Sequence, residues 1–225
     1  KNSMPNKKKN EKMSVFIYDG FPIEHKYYIK RGYSMDDLKK LVEKGDSDAM
    51  GVYGMILYNQ KGTVASKRKA INYIKKSAKL GNNIAMLNYG ILLYEGKFIA
   101  QDKVKACQYF KMSADLGNIE AMQYYANMRI KGDGVPIFIK DAIYYFKKSA
   151  DLGNIKSMFS YGSMLMTEEY IKNYTAAIRY FKKAADLGCV YSMNNYASLV
   201  LDGKGKSADK KEAAKYFKMA ADKGN

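Results

Sequence analysis

The chain has 225 residues, 47% of them hydrophobic and 27% charged, and 39 Lys and Arg against 22 Asp and Glu give a formal net charge of +17. That apolar content supports a packed core, while no apolar run reaches the roughly 18 residues of a membrane span. Two cysteines, Cys107 and Cys189, are too few for a disulfide framework, and with a single histidine, His25, they cannot readily fill the four nitrogen or sulfur positions typical of zinc, so no metal and no cofactor is expected.

Residues 1–13, KNSMPNKKKNEKM, read as a basic, disordered tail. No apolar stretch follows its lysines, as a signal peptide would require. The expected compartment is cytoplasmic, with a lumenal one left open. Residues 14–45 form an N-terminal segment. Asp19-Gly20 between apolar runs fits a hairpin, which Pro22 opposes. Further on, Ser34 followed by Asp37 is a helix-start signal, and Leu38, Leu41 and Val42 fall on one face. Residues 35–44 are therefore predicted as a helix that covers the first of the units behind it.

From 46 to 224 the chain repeats itself. YFKMSADLGN, YFKKSADLGN, YFKKAADLGC and YFKMAADKGN start at Tyr109, Tyr145, Tyr180 and Tyr216. Glycine recurs at 45, 81, 117, 153, 188 and 224, and methionine keeps step at 50, 86, 122, 158 and 193. A fixed period of this length signals stacked supersecondary units. Five are predicted: 46–81, 82–117, 118–153, 154–188 and 189–224. In 82–117, Ala85, Met86, Tyr89, Gly90 and Leu93 recur at helical steps; EGKFIAQ breaks the pattern; Ala106, Tyr109, Phe110 and Ala114 resume it. Each unit is thus a helix A and a helix B. The recurring glycine ends helix B, and Asp46, Asn82, Asn118 or Asn154 caps the next helix A. Ser66, Asp102, Asn173 and Asp209 are predicted to cap helix B, with Phe138 breaking that rule. Gly or Ala at 54, 90, 126, 162 and 197 lets helices approach closely. The Tyr and Met stripes are assigned to the core. The last helix B is left with an apolar face that a following element, a partner or end-to-end self-association would cover, so the chain is expected to be a piece of a longer protein or to associate.

These residues resemble the Sel-1-like repeat, a relative of the tetratricopeptide repeat. The pattern A-M-x-x-Y-G-x-x-L-x-x-G, a loop, then D-x-x-x-A-x-x-Y-F-K-x-A-A-x-x-G is carried most fully by Asn82 to Gly117, and the loop GDGVP at 132–136 is similar to the family's G-x-G-V-P. The resemblance implies an all-α, right-handed α-solenoid of antiparallel helix pairs acting as a scaffold or adaptor, with helix A lining the concave side. By the same resemblance the exposed helix-A positions include Leu87, Ile91, Gln123, Asn127, Phe159 and Asn194, the residues expected to hold a protein or peptide partner. They vary between units, unlike the framework. Phe159 is either an anchor for that partner or a ring resting on the next repeat.

No catalytic residues are expected. No Ser-His-Asp or Cys-His set can be assembled, His25 lies outside the array, and GKGKS at 203–207 lacks the spacing of a phosphate-binding loop. Cys189 stands at a helix start, where a tolerated small residue and a thiol of lowered pKa are both possible readings. The periodic lysines read first as a solvated outer face. The alternative function is a basic solenoid on an anionic surface or nucleic acid. Nucleic acid is disfavoured because the only arginines are Arg31, Arg68, Arg129 and Arg179 and no arginine-aromatic stripe appears.

Overall fold

The computed structural model describes residues 33–224; the expected tail and hairpin lie outside them. Among the described residues there are eleven α-helices and no strand. Helix α1 spans Met35–Glu43. Five antiparallel pairs follow: α2 Ser47–Asn59 with α3 Val64–Lys79, α4 Asn83–Glu95 with α5 Lys103–Asp115, α6 Ile119–Lys131 with α7 Ile139–Asp151, α8 Ile155–Thr167 with α9 Tyr174–Asp186, and α10 Val190–Leu201 with α11 Lys210–Ala221. Each helix packs on the one before it and the one after it. One hydrophobic core therefore runs from Ile71 to Ala220, and a smaller cluster of Leu38, Val42, Ala49 and Val52 joins α1 to the first pair.

Local signals set the helix ends. Ser34 and Asp37 form the reciprocal capping box at α1, Ser34 Oγ accepting from the Asp37 amide at 3.1 Å and the Asp37 carboxylate from the Ser34 amide at 3.0 Å. The Ser34 hydroxyl, which donates to the Asp37 carboxylate at 2.6 Å, and then the Ser34 amide hold the Asp37 carboxyl below its ordinary pKa. Asp46, Asn82, Asn118 and Asn154 cap the A helices. Asp102, Asn173 and Asp209 cap B helices, and Phe138 starts α7 without a side-chain cap. Ser66 is not a cap: α3 starts earlier, and Thr63 Oγ1 accepts from the Ser66 amide at 3.2 Å. Gly117 closes α5 at φ 91°, a conformation that makes any Cβ strained although nothing lies within 4 Å of one. Gly90 has the opposite reason: a Cβ there would meet the Phe110 ring at 2.7 Å.

The repeated decapeptide works as a connector. Its tyrosine reaches back to the aspartate of the preceding unit. Tyr145 donates to Asp115, Tyr180 to Asp151 at 2.5 Å, and Tyr216 to Asp186 at 2.6 Å. Each aspartate also takes the lysine one turn earlier: Lys111 to Asp115 at 2.8 Å, Lys147 to Asp151 at 2.7 Å, Lys182 to Asp186 at 2.9 Å. Its phenylalanine is core, with Phe110, Phe146 and Phe181 at most 1% exposed. Its serine, where present, ties the end of helix B to the start of helix A: Ser113 Oγ donates to the Asn83 carbonyl at 2.6 Å and Ser149 Oγ to the Ile119 carbonyl at 3.0 Å.

This ladder has a defined pH window. Burial alone would raise the carboxyl pKa values of Asp115, Asp151 and Asp186, but hydrogen bonds from their lysine and tyrosine partners outweigh it and all three are lowered. Their stabilisation is present above the ordinary carboxylate range and is lost as pH falls through the folded values. Tyr145, Tyr180 and Tyr216 are raised by burial and then by their aspartates, and Lys147 and Lys182 by theirs. That stabilisation is complete below about pH 10 and is lost on further alkalinisation. Thermal stability is expected to fall both below about pH 4 and above about pH 10. Tyr180→Phe, read by circular dichroism, should flatten the alkaline limb; an unchanged alkaline limb would show that the ladder does not couple the units.

Candidate functional site

The two sides of the stack differ in charge. The five A helices carry three acidic and three basic residues, whereas the five B helices carry nineteen basic and five acidic ones. Chemistry that varies from unit to unit sits on the A side. On α4 the stripe Ile84, Asn88, Ile91, Glu95 follows steps of four, three and four, and on α6 Glu120, Tyr124, Asn127 and Lys131 repeat it. The stripes lie side by side. The charge of Glu95 raises the pKa of Tyr58 on α2 and of Tyr124 on α6, in each case behind burial as the main cause. Burial also raises the Glu120 carboxyl, with Lys156 of α8 pulling the other way.

Leu87 does not belong to this surface. It is 0% exposed and part of the core. Its column faces the end of its own helix B and the next helix A, as Gly51 at the same place in the first unit shows: a Cβ there would lie 2.9 Å from Ser77 Oγ and 3.6 Å from Ala85 Cβ. A leucine in that column is swallowed by the joint between units. Ile91 and Asn127 are half-buried, and so are Gln123, Phe159 and Asn194, which occupy the column of Leu87 in the later units. The Phe159 ring rests on Phe181 and on Tyr191 of the following unit, with centroids 6.1 and 5.9 Å apart, so it is partly a packing residue. Tyr191 beside it is 67% exposed.

Asn88 was missed by sequence reasoning. It is 3% exposed, and its Oδ1 is buried without a hydrogen-bond donor. The available signal was one amide in the middle of NIAMLNYGILLYE, a helix otherwise apolar around most of its circumference. Tyr124 is stacked on Phe110 with centroids 4.9 Å apart and ring planes 17° apart. The site therefore combines flat and aliphatic surface with one half-buried acceptor, Glu120, and one fully covered beneath it, Asn88. Such a surface binds groups that bring N–H donors and apolar side chains together.

Cys189 begins α10 without a side-chain cap bond, and its sulfur accepts from Ser192 Oγ at 3.2 Å. No helix among the described residues is long and apolar enough to cross a membrane.

Comparison with solved structures places the fold. The chain is 24% identical to c5321, a protective antigen of uropathogenic Escherichia coli strains displaying an SLR fold, with a TM-score of 0.80 over 90% of this chain and 45% of that one. It therefore spans less than half the length of that relative. A Sel1 repeat protein from Oxalobacter formigenes gives a TM-score of 0.77 at 18% identity, over 89% of this chain and 84% of that one. No curated protein matches. The Sel1 repeat model fits five consecutive segments, 47–82, 83–118, 119–154, 155–189 and 190–225. With five repeats covering most of its length, the chain belongs to the Sel1 repeat family.

Proposed function

We propose that this protein is a non-catalytic scaffold that holds an extended segment of a partner protein along the A-helix face, the concave side expected for its family. Sel1 repeat proteins are commonly protein-interaction scaffolds. The observation that carries the reading is Asn88, an amide 3% exposed beneath the stripe of Ile91, Tyr124 and Asn127, whose Oδ1 has no donor and which a partner reaches when the side chains over it shift. A lone buried acceptor costs about 1–3 kcal/mol, and a partner's backbone N–H would relieve it once it is uncovered. Ile91 and Asn127 extend the surface along the stack; Gln123, Phe159 and Asn194 stand in the column of Leu87 but stay half-buried, and Leu87, which is fully covered, is removed from it.

The test is affinity capture with the intact chain, followed by mass spectrometry. The wild type is compared with an A-face variant, Asn127→Ala with Phe159→Ala, and with a B-face variant, Lys148→Glu with Lys183→Glu. The A-face variant is expected to lose the captured protein about tenfold, equivalent to roughly 1–2 kcal/mol, while the B-face variant retains it. The reverse pattern would reject the groove and favour attachment through the basic face.

A further inference from the structure

The recurring leucine of the decapeptide is not core. Leu80, Leu116, Leu152 and Leu187 follow the last residues of α3, α5, α7 and α9 and are 57%, 56%, 52% and 58% exposed. Folding leaves the same apolar knob in solvent four times, at equivalent places in stacked units, along the edge where helix B turns into helix A. One turn before each stands Lys76, Met112, Lys148 or Lys183, on the same stripe. Met112 is 47% exposed. The three lysines belong to none of the ion pairs among the described residues, whereas the neighbouring column, Lys111, Lys147 and Lys182, is tied to aspartates. The excess of positive charge peaks on α3, with six basic residues and no acidic one; Lys79 there takes the place of the ladder aspartate.

We propose that this edge, with the adjoining B-helix lysines, seats the protein on an anionic lipid bilayer, the leucines entering the headgroup boundary and the lysines meeting lipid phosphates. Three features select that occupant. The charge is complementary to an anionic leaflet. The leucines are spaced one per repeat, so a fluid plane receives them where a folded partner would need four matching pockets. Nucleic acid would make use of the lysines but not of the leucines, and its usual arginine contacts are limited here to Arg68 and Arg179 on the B helices. The edge is distinct from the A-helix stripe, so both surfaces can be occupied at once.

The experiment is co-sedimentation of the 225-residue chain with phosphatidylcholine vesicles, with and without phosphatidylserine, at low and moderate salt. Binding is expected only to the anionic vesicles. It should fall more than tenfold in a Leu80→Gln, Leu116→Gln, Leu152→Gln variant, and also in a Lys76→Gln, Lys148→Gln, Lys183→Gln variant. The chain contains no tryptophan, so Leu116→Trp supplies a single reporter that does not depend on how the triple variants fold. Its emission should shift to the blue and be quenched by brominated anionic lipid, whereas Leu201→Trp, at an exposed site on the other turn, should respond to neither. Absence of binding to anionic vesicles would overturn the proposal. So would binding that ignores the leucines, or a Leu116→Trp signal unmoved by lipid. Binding to single-stranded DNA as tight as to vesicles, lost in the lysine variant alone, would assign the face to polyanions instead.

Discussion

Phe110→Ala is expected to destabilise the protein by about 3–5 kcal/mol, while the same change at the matching position in the last unit, Phe217→Ala, costs about 1 kcal/mol. The two phenylalanines occupy one register of one repeated string. Phe110 is 0% exposed and Phe217 is 36% exposed. The difference comes from the neighbour. Phe110 fills the space left by Gly90 and carries the Tyr124 ring of the next unit. Phe217 lies on α11, against which no further unit packs among the described residues. In a solenoid each unit contributes an intrinsic term and an interface term to each neighbour. Removing Phe110 empties a site shared by α4, α5 and α6; removing Phe217 trims a partly wet surface. The check is urea denaturation of both variants beside the wild type, followed by circular dichroism. Equal shifts of the two midpoints would mean that burial by the following unit contributes nothing, and the nearest-neighbour account of this fold would fail.

Much of that architecture was legible before any coordinates. Period, helix type and most helix starts followed from glycine, alanine and capping residues, because those signals act within one turn. Ser66 failed as a cap because Thr63 offers the same hydroxyl three residues earlier and α3 gains a turn by using it. The lysine columns were read as one solvated face, yet they divide into two. Lys111, Lys147 and Lys182 are bound into the ladder, and Lys76, Lys148 and Lys183 are not. The four-residue step from Lys111 to Asp115 was visible in the string; what was hidden was the tyrosine arriving from the next unit, since the contact spans 30 residues. Of the A-helix positions expected to face outward, Ile91 and Asn127 lie on the stripe and Leu87 is covered. Leu87 and Asn88 are adjacent, both vary between units and both are buried, and helical periodicity cannot decide how much of a face the neighbouring unit covers. The close approach at Gly51 decides it, and that is a property of the packed stack.

Asn88→Leu is expected to move stability and binding in opposite directions. In the free protein, Asn88 Oδ1 is buried and accepts no hydrogen bond. Leucine has the same branched heavy-atom shape, and the helix around it is already apolar, with Leu87, Leu92 and Leu93 buried beside it. Replacing an unsatisfied polar group by an apolar one of like size should stabilise the fold by about 1–3 kcal/mol, seen as a higher urea midpoint with an unchanged slope. If the acceptor is kept for a partner's N–H group, the same change should weaken capture of that partner about tenfold or more, despite the firmer scaffold. Asn88→Asp separates the two effects. It preserves an acceptor while adding a buried charge, so it should lower stability sharply and leave the geometric complement of the donor in place. A stabilised Asn88→Leu protein that binds its partner as well as the wild type would show that the orphan amide has no part in recognition. A destabilised one would show that the amide is satisfied in solution, through water or a rearranged side chain, and the A-helix stripe would then lose the observation that sets it apart from an ordinary solvent face.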